Sequence, residues 1–348
     1  MINLINIDKV IFNKDYSLID VRSPKEFDND SIPGAINIPI LSDKEREYVG
    51  YVYKQVDSNK AKELGLGYAS EKLVDIYKRI KEIKETGKKI VLFCYRGGMR
   101  SNSVANVLNI MGVNVSVLNG GYKSYRKFIV NNLPKYKDKF KYIVIHGYTG
   151  VGKTKILERL EDEGHPVVDL EKLASNSGSV FGEMTYDNPS TSQKKFETLL
   201  FNNLYNSDHG YFFIESESKR IGKVILPNFL HKNMKDGYHV LIKTNMENRV
   251  NNIVEDYISS DINDKDEKII KAIKKLNKRL GKIKTNKLIE SITNKDYNFV
   301  IETLMTDYYD PLYDYSIDKI KEYDTIIQYE TIEEAKDKLI KFAKEHIS

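Results

Sequence analysis

Two segments of this sequence combine residue types and spacings that could do chemistry. Gly147-Tyr-Thr-Gly150-Val-Gly152-Lys153-Thr154 is a complete phosphate-binding P-loop pattern. Backbone N–H groups of such a turn point into a concavity, Lys153 adds a mobile charge, and Thr154 has the hydroxyl that can ligate Mg2+. The other segment is Phe93-Cys94-Tyr-Arg96-Gly97-Gly98-Met-Arg100-Ser101. A thiol at a helix start, among loop amides and two arginines, sits in an electropositive cup that favours the thiolate and holds an anion against the sulfur. Such a cysteine can carry a sulfur-type adduct or attack a phosphorus-bound group.

The spacing of Cys94 and Arg100 matches the C-x5-R loop of cysteine phosphatases as well as a sulfurtransferase loop. A phosphatase would carry His before the cysteine, where this chain has Phe93, so the sulfurtransferase reading is favoured. Near the P-loop, Mg2+ needs a carboxylate at the end of a neighbouring strand. Asp169, Glu215 and Glu217 are the candidates, and Glu215 stands out because it follows the apolar run Tyr-Phe-Phe-Ile. The six histidines show no metal-ligand spacing.

The elements that must position these groups follow from periodicity. Ser17–Val21, Lys89–Phe93 and Val113–Leu118 read as buried strands, separated by helix-like stretches at 70–85 and 102–111, which implies a parallel α/β layer. Residues 131–141 are polar and charged with one proline and read as a linker. A second α/β pattern then begins: strands at 142–146, 166–169, 211–215 and 238–242, helices at 153–161 and 193–205, and a last amphipathic helix at 330–346. The stretch from about 247 to 300 reads as helical and basic. The expected organisation is a first α/β domain at 1–130, the linker, and a P-loop domain at 142–348.

Charge sharpens this division. The 348 residues carry net +5, but residues 1–141 hold 25 basic and 16 acidic side chains, and residues 265–287 hold ten basic and two acidic ones. On one helix, Lys271, Lys274, Lys275, Lys278 and Lys282 would share a face, with Arg279 beside them. Such a face could position a phosphate backbone without reading its sequence. Cys94 is the sole cysteine, which excludes an intramolecular disulfide and a zinc site built on paired cysteines. No apolar run approaches the roughly 20 residues that span a bilayer. The expectation is a soluble, cytoplasmic protein with no membrane partner.

With the order of the cysteine loop and the P-loop established, the chain resembles the tRNA 2-selenouridine synthases, a family that joins a rhodanese domain to a P-loop domain. The resemblance rests in the front half on Asp20-Val-Arg-Ser-Pro-Lys-Glu-Phe27, Ile32-Pro-Gly-Ala-Ile-Asn-Ile-Pro39, the Cys94–Ser101 loop and Gly120-Gly-Tyr-Lys123. In the back half it rests on the P-loop, Asp169-Leu-Glu-Lys-Leu-Ala174, Gly178-Ser-Val-Phe-Gly182, Gln193-Lys-Lys-Phe-Glu197, Glu215-Ser-Glu-Ser218 with Ile221-Gly222, and Tyr308-Tyr-Asp-Pro-Leu-Tyr313.

The resemblance implies a rhodanese-like parallel sheet followed by a P-loop NTPase-like α/β domain. It implies a transferase that converts 2-thiouridine at the first anticodon position of tRNA into 2-selenouridine. The thio group is geranylated from geranyl diphosphate and then replaced by selenium from selenophosphate. On this reading Cys94 carries or relays selenium, and Arg96, Gly97, Gly98 and Arg100 cradle selenophosphate. Gly147, Gly150, Gly152, Lys153 and Thr154 hold a diphosphate, with Asp169 or Glu215 as acid or Mg2+ ligand, and Lys271, Lys274, Lys275, Lys278 and Arg279 meet tRNA. No tightly bound cofactor is expected. The sequence leaves the reverse allocation of the two anions open, along with an NTP-dependent sulfurtransferase that passes a Cys94 persulfide to tRNA or a carrier. A third open reading is a nucleotide-gated RNA-binding module with a vestigial cysteine loop. Arg100 stands at the seventh position of its loop, where an ordinary sulfurtransferase has it at the sixth, which suits an anion larger than thiosulfate.

Overall fold

A computed structural model of the chain describes residues 2–176, 191–255 and 265–347. The Gly178–Gly182 motif lies outside them. Contacts divide the chain into a first unit, Met1–Leu133 with Glu197–Asn202, and a second, Pro134–Phe196 with Asn203–Ser348.

The first unit is built on a five-stranded, wholly parallel sheet. Its strands are β1 (Asn3–Ile5), β2 (Tyr16–Asp20), β3 (Ile36–Asn37), β4 (Lys89–Phe93) and β5 (Val115–Leu118), in the order β1-β5-β4-β2-β3. The centre, Ile90–Phe93, is buried throughout, as a strand covered on both faces must be. Ile19, Val21, Leu92, Val104 and Leu108 anchor its core, each worth about 1.5–3 kcal/mol of burial. Two helices that the periodicity reading leaves out or shortens, Asp43–Gln55 and Ser58–Glu85, pack against each other on this unit.

The second unit repeats the layout. β6 (Lys141–His146), β7 (Val167–Val168), β8 (Tyr211–Glu215), β11 (Tyr238–Lys243) and β12 (Thr325–Gln328) form a parallel sheet in the order β12-β11-β6-β8-β7. Between them, β9 (Arg220–Ile221) and β10 (Val224–Ile225) make a small antiparallel ladder. Between β11 and β12 lies a helical subdomain with its own core of Ile269, Ile273, Leu288, Val300, Ile301 and Leu304. Residues 131–141 comprise the end of helix Gly121–Asn132, a 3-10 turn at Leu133–Tyr136, and the start of β6. Leu133, Tyr136 and Phe140 are buried there. No described helix is long and apolar enough to cross a membrane.

The basic segment departs from the expected single helix. Helix Lys265–Lys275 ends, a short turn Asn277–Leu280 follows, and Gly281, at φ +79°, reverses the backbone into helix Lys282–Thr293. Only a glycine takes that φ without strain. Lys282 therefore does not continue the face of Lys271, Lys274 and Lys275. The reversal lets Ile269 and Ile273 pack against Leu288 and Ile292 in one core, a gain that outweighs helical continuity.

Candidate functional site

Both candidate loops sit beyond the carboxyl end of a central parallel strand, the place where open α/β sheets bind ligands. In the first unit β4 delivers Cys94, and Gly98 caps helix Met99–Ile110. Cys94 is 4% exposed. Ser101 Oγ donates to its sulfur at 3.2 Å. Burial alone would raise the thiol pKa. The Ser101 hydroxyl and amide, the Arg100 charge and the Arg96 amide outweigh it, so the pKa lies below that of an ordinary cysteine.

The loop is pinned from behind. Tyr122 N donates to the Cys94 carbonyl and Lys123 N to that of Tyr95, both at 2.9 Å. A Cβ on Gly121 (φ +57°) would lie 2.3 Å from that Cys94 oxygen, and one on Gly97 (φ +66°) 2.7 Å from the Leu118 oxygen. Both positions therefore require glycine, and the Gly120-Gly121 pair of the sequence acquires its purpose. Arg100 binds Glu26 through Nη1 at 2.6 Å and Nη2 at 3.3 Å. Glu26 is in turn fixed as the third residue of the capping box that starts helix Pro24–Asn29. Arg96, by contrast, is exposed. Asp20, Arg22 and Asp30 are buried structural groups: Arg22 binds Asp20 at 2.7 Å and lies 4.0 Å over the Tyr122 ring, whose hydroxyl donates to Asp30.

In the second unit the P-loop follows β6, and Gly152 (φ +69°) caps helix Lys153–Asp162, with Thr154 in its first turn. The loop's carbonyls are taken up by side chains. Lys153 Nζ donates to Gly147, Arg249 Nε to Thr149 at 2.9 Å, Asn252 Nδ2 to Gly150 at 2.9 Å, and the Tyr329 hydroxyl to Val151. With these carbonyls committed to side chains, the loop amides other than that of Val151, which donates to the Tyr148 carbonyl, are left to face a ligand. Arg249 is itself locked by Asp310 through two bonds of 2.6 and 3.0 Å. Asp310 directly follows the π-helical turn Met305–Tyr309, a kind of irregularity frequent at functional sites. Nothing in the sequence announces this role: Arg249 and Asn252 lie one turn apart on helix Met246–Ile253, and Tyr329 directly follows β12, far along the chain.

The carboxylates resolve differently from the sequence expectation. Glu171, Glu215 and Glu217 bring their oxygens within 4.8 Å of one another. Asp169 is instead the N-cap of helix Leu170–Ala174, accepting from Lys172 N at 2.8 Å. Glu171 is the residue that the sequence reading missed. It lies two positions past the strand-end Asp169, and its amide donates to Glu215 at 2.8 Å. Glu215 is 1% exposed, and its other oxygen has no hydrogen-bond partner. Burial, then the charges of Glu171, Asp169 and Glu217, push its pKa well above the carboxylate range. Burial and Glu171 likewise push Glu217 up to about 7, against the pull of Lys153. Burial opposes the charge on Lys153, but Tyr313 and the three glutamates hold it charged and raise its pKa. The donor set is all hard oxygen with one buried oxygen left unsatisfied, which fits Mg2+.

His146 and His239, 93 positions apart, are diagonal neighbours on β6 and β11 and form a 2.9 Å Nε2···Nδ1 contact. The predicted basic residues Lys271, Lys274, Lys275, Lys278 and Arg279 are all exposed, spread over helix Lys265–Lys275 and the turn after it. Arg279 also stacks 5.5 Å over Tyr308.

Comparison with known proteins places these features. A family model described as the tRNA 2-selenouridine synthase AAA domain matches residues 140–346, and a rhodanese-like domain model matches residues 7–128. The tRNA 2-selenouridine synthase of Nitrosomonas europaea is 31% identical, covering 87% of this chain and 89% of its own. That of Marinobacter nauticus is 32% identical over 88% of this chain and 90% of its own, and that of Sulfurovum sp. 32% over 87% and 89%.

Proposed function

The chain belongs to the tRNA 2-selenouridine synthase family, and from that premise we propose how its two units divide the reaction. The enzyme modifies the wobble uridine of tRNA, exchanging sulfur for selenium. The division rests on one observation: of two anion cradles at strand ends, one holds the only thiol and the other holds a lysine beside three carboxylates.

The P-loop takes the diphosphate of geranyl diphosphate. Its amides and Lys153 stabilise the charge that develops as the carbon–oxygen bond breaks and diphosphate leaves with the electron pair. The uridine sulfur supplies the new bond to carbon, and the N3 proton is lost. Alkylation turns a poor leaving group into a better one. Glu171, Glu215 and Glu217 would hold Mg2+, which when bound neutralises diphosphate charge. Without a cation or protons, three carboxylates beside a diphosphate would repel it, and the raised pKa values of Glu215 and Glu217 already express the cost of burying these charges together.

The Cys94 loop takes selenophosphate. Its lowered pKa favours the thiolate, and Arg100, held by Glu26, supplies charge next to the anion. The Cys94 thiolate attacks the phosphorus of selenophosphate, and the Se–P bond breaks to leave a phosphorylated sulfur and release hydrogen selenide in the site. The selenide adds to C2 of the uridine, the geranylthio group leaves with its electron pair and is protonated to geranylthiol, and water hydrolyses the S–P bond to release phosphate. Omitting one substrate at a time tests the sequence of steps. Without geranyl diphosphate the tRNA should stay at 2-thiouridine, and without selenophosphate it should stop at the geranylthio nucleoside. Selenouridine formed at full rate without geranyl diphosphate contradicts the scheme.

A further inference from the structure

A cavity of about 590 Å3 opens beside the P-loop within the second unit. That size falls inside the roughly 300–1,000 Å3 of small-molecule pockets. Its apolar wall is made by Val144, Met234, Leu312, Tyr313 and Ile320, with His146 at the end of β6, and Ser216, Ser218 and His231 complete it. Two wall residues also belong to the phosphate site. The Tyr313 ring lies 5.6 Å from Lys153 Nζ, and Glu217 is one of the three clustered carboxylates. The cavity therefore begins where the phosphate cradle ends.

Two of its imidazoles, His146 and His239, are already committed to each other. His239 Nε2 contacts the Lys235 carbonyl at 3.1 Å, and a carbonyl only accepts, so His239 carries its proton on Nε2. Its Nδ1 must then accept from His146 Nε2–H. Neither imidazole has an N–H left to offer a ligand. Burial and the neighbouring His239 and Lys153 keep His146 neutral, with a pKa of about 3. The cations that border the cavity, Lys219, Lys235 and Lys319, are exposed at its rim. A chamber with this apolar wall and a neutral imidazole pair, next to a phosphate cradle and with its lysines at the mouth, suits an amphiphile that has an anionic head and a hydrocarbon tail.

We propose that this cavity is the hydrocarbon-chain subsite of the P-loop, taking the prenyl tail of an alkyl diphosphate whose phosphates lie at 147–154. The assignment rests on the reading that the P-loop binds a diphosphate ester, and its test separates the two. Affinities for geranyl diphosphate and for inorganic pyrophosphate are measured by calorimetry on the wild type and on Leu312→Asn, Ile320→Asn and Lys153→Ala, with circular dichroism to check folding. Leu312 is 47% exposed, so its replacement leaves the core intact. The wild type should bind geranyl diphosphate roughly tenfold or more tightly than pyrophosphate. The two asparagine variants should lose that advantage and keep their pyrophosphate affinity. If they keep the advantage, the tail lies elsewhere and the subsite is wrong while the P-loop reading stands. If the wild type shows no advantage, the subsite fails. If Lys153→Ala binds geranyl diphosphate as tightly as the wild type, the P-loop reading fails and takes the subsite with it.

Discussion

Cys94 gains its character from one neighbour above the rest. The sequence offers a thiol among arginines, but Arg96 is exposed and Arg100 is tied to Glu26, so the direct hydrogen bond to sulfur comes from Ser101. Replacing Ser101 by Ala should raise the Cys94 pKa, because the largest of the contributions that lower it is lost. Thiolate absorbance against pH would show it without ambiguity, because the chain holds no other cysteine. For the same reason no second thiol within the sequence can resolve an adduct on Cys94, and in the proposed step water releases it. His146 yields a second prediction. Its folded pKa of about 3 lies below the ordinary value near 6.5, so the unfolded chain binds the extra proton between those limits. Stability should therefore fall as pH drops from about 6.5 toward 3. His146→Gln should flatten that slope in urea midpoints measured across this range, and an unchanged slope would remove His146 as its source.

At the scale of elements, strands β2, β4, β6 and β8 were legible because parallel strands buried on both faces read as continuous apolar runs. The P-loop was legible because glycine spacing, Lys153 and Thr154 are all local. What stayed hidden is what the chain assembles from afar: the Arg249, Asn252 and Tyr329 clamp on the loop carbonyls, the His146–His239 pair, and Glu171, which lies in the helix after β7 while Asp169 holds the strand end. Asp169 proved to be a helix cap, a use of carboxylate that only local geometry reveals. The basic segment misled for a different reason. Helical spacing alone cannot weigh the hydrophobic seam that folds helix Lys282–Thr293 back onto helix Lys265–Lys275. The cationic residues around the turn remain exposed and remain the expected tRNA contact. Replacing Lys274, Lys275 and Lys278 by Ala should weaken tRNA binding and lower the slope of log affinity against log salt by about 0.7–0.9 per lost contact. Unchanged binding would remove this surface from the interface.

Across the whole molecule, a net charge of +5 conceals a basic front portion and a basic cluster set in an otherwise acidic back half. One chain thus combines two strand-end loops and an exposed cationic surface, as the two proposed successive steps on one tRNA nucleoside would require. The central claim is that each unit performs one of them, and nucleoside mass spectrometry of 2-thiouridine tRNA treated with geranyl diphosphate and selenophosphate tests it most directly. The wild type should give 2-selenouridine, Lys153→Ala should leave 2-thiouridine, and Cys94→Ser should accumulate the geranylthio nucleoside. Full selenation by Cys94→Ser, or geranylation by Lys153→Ala at the wild-type rate, would contradict the account.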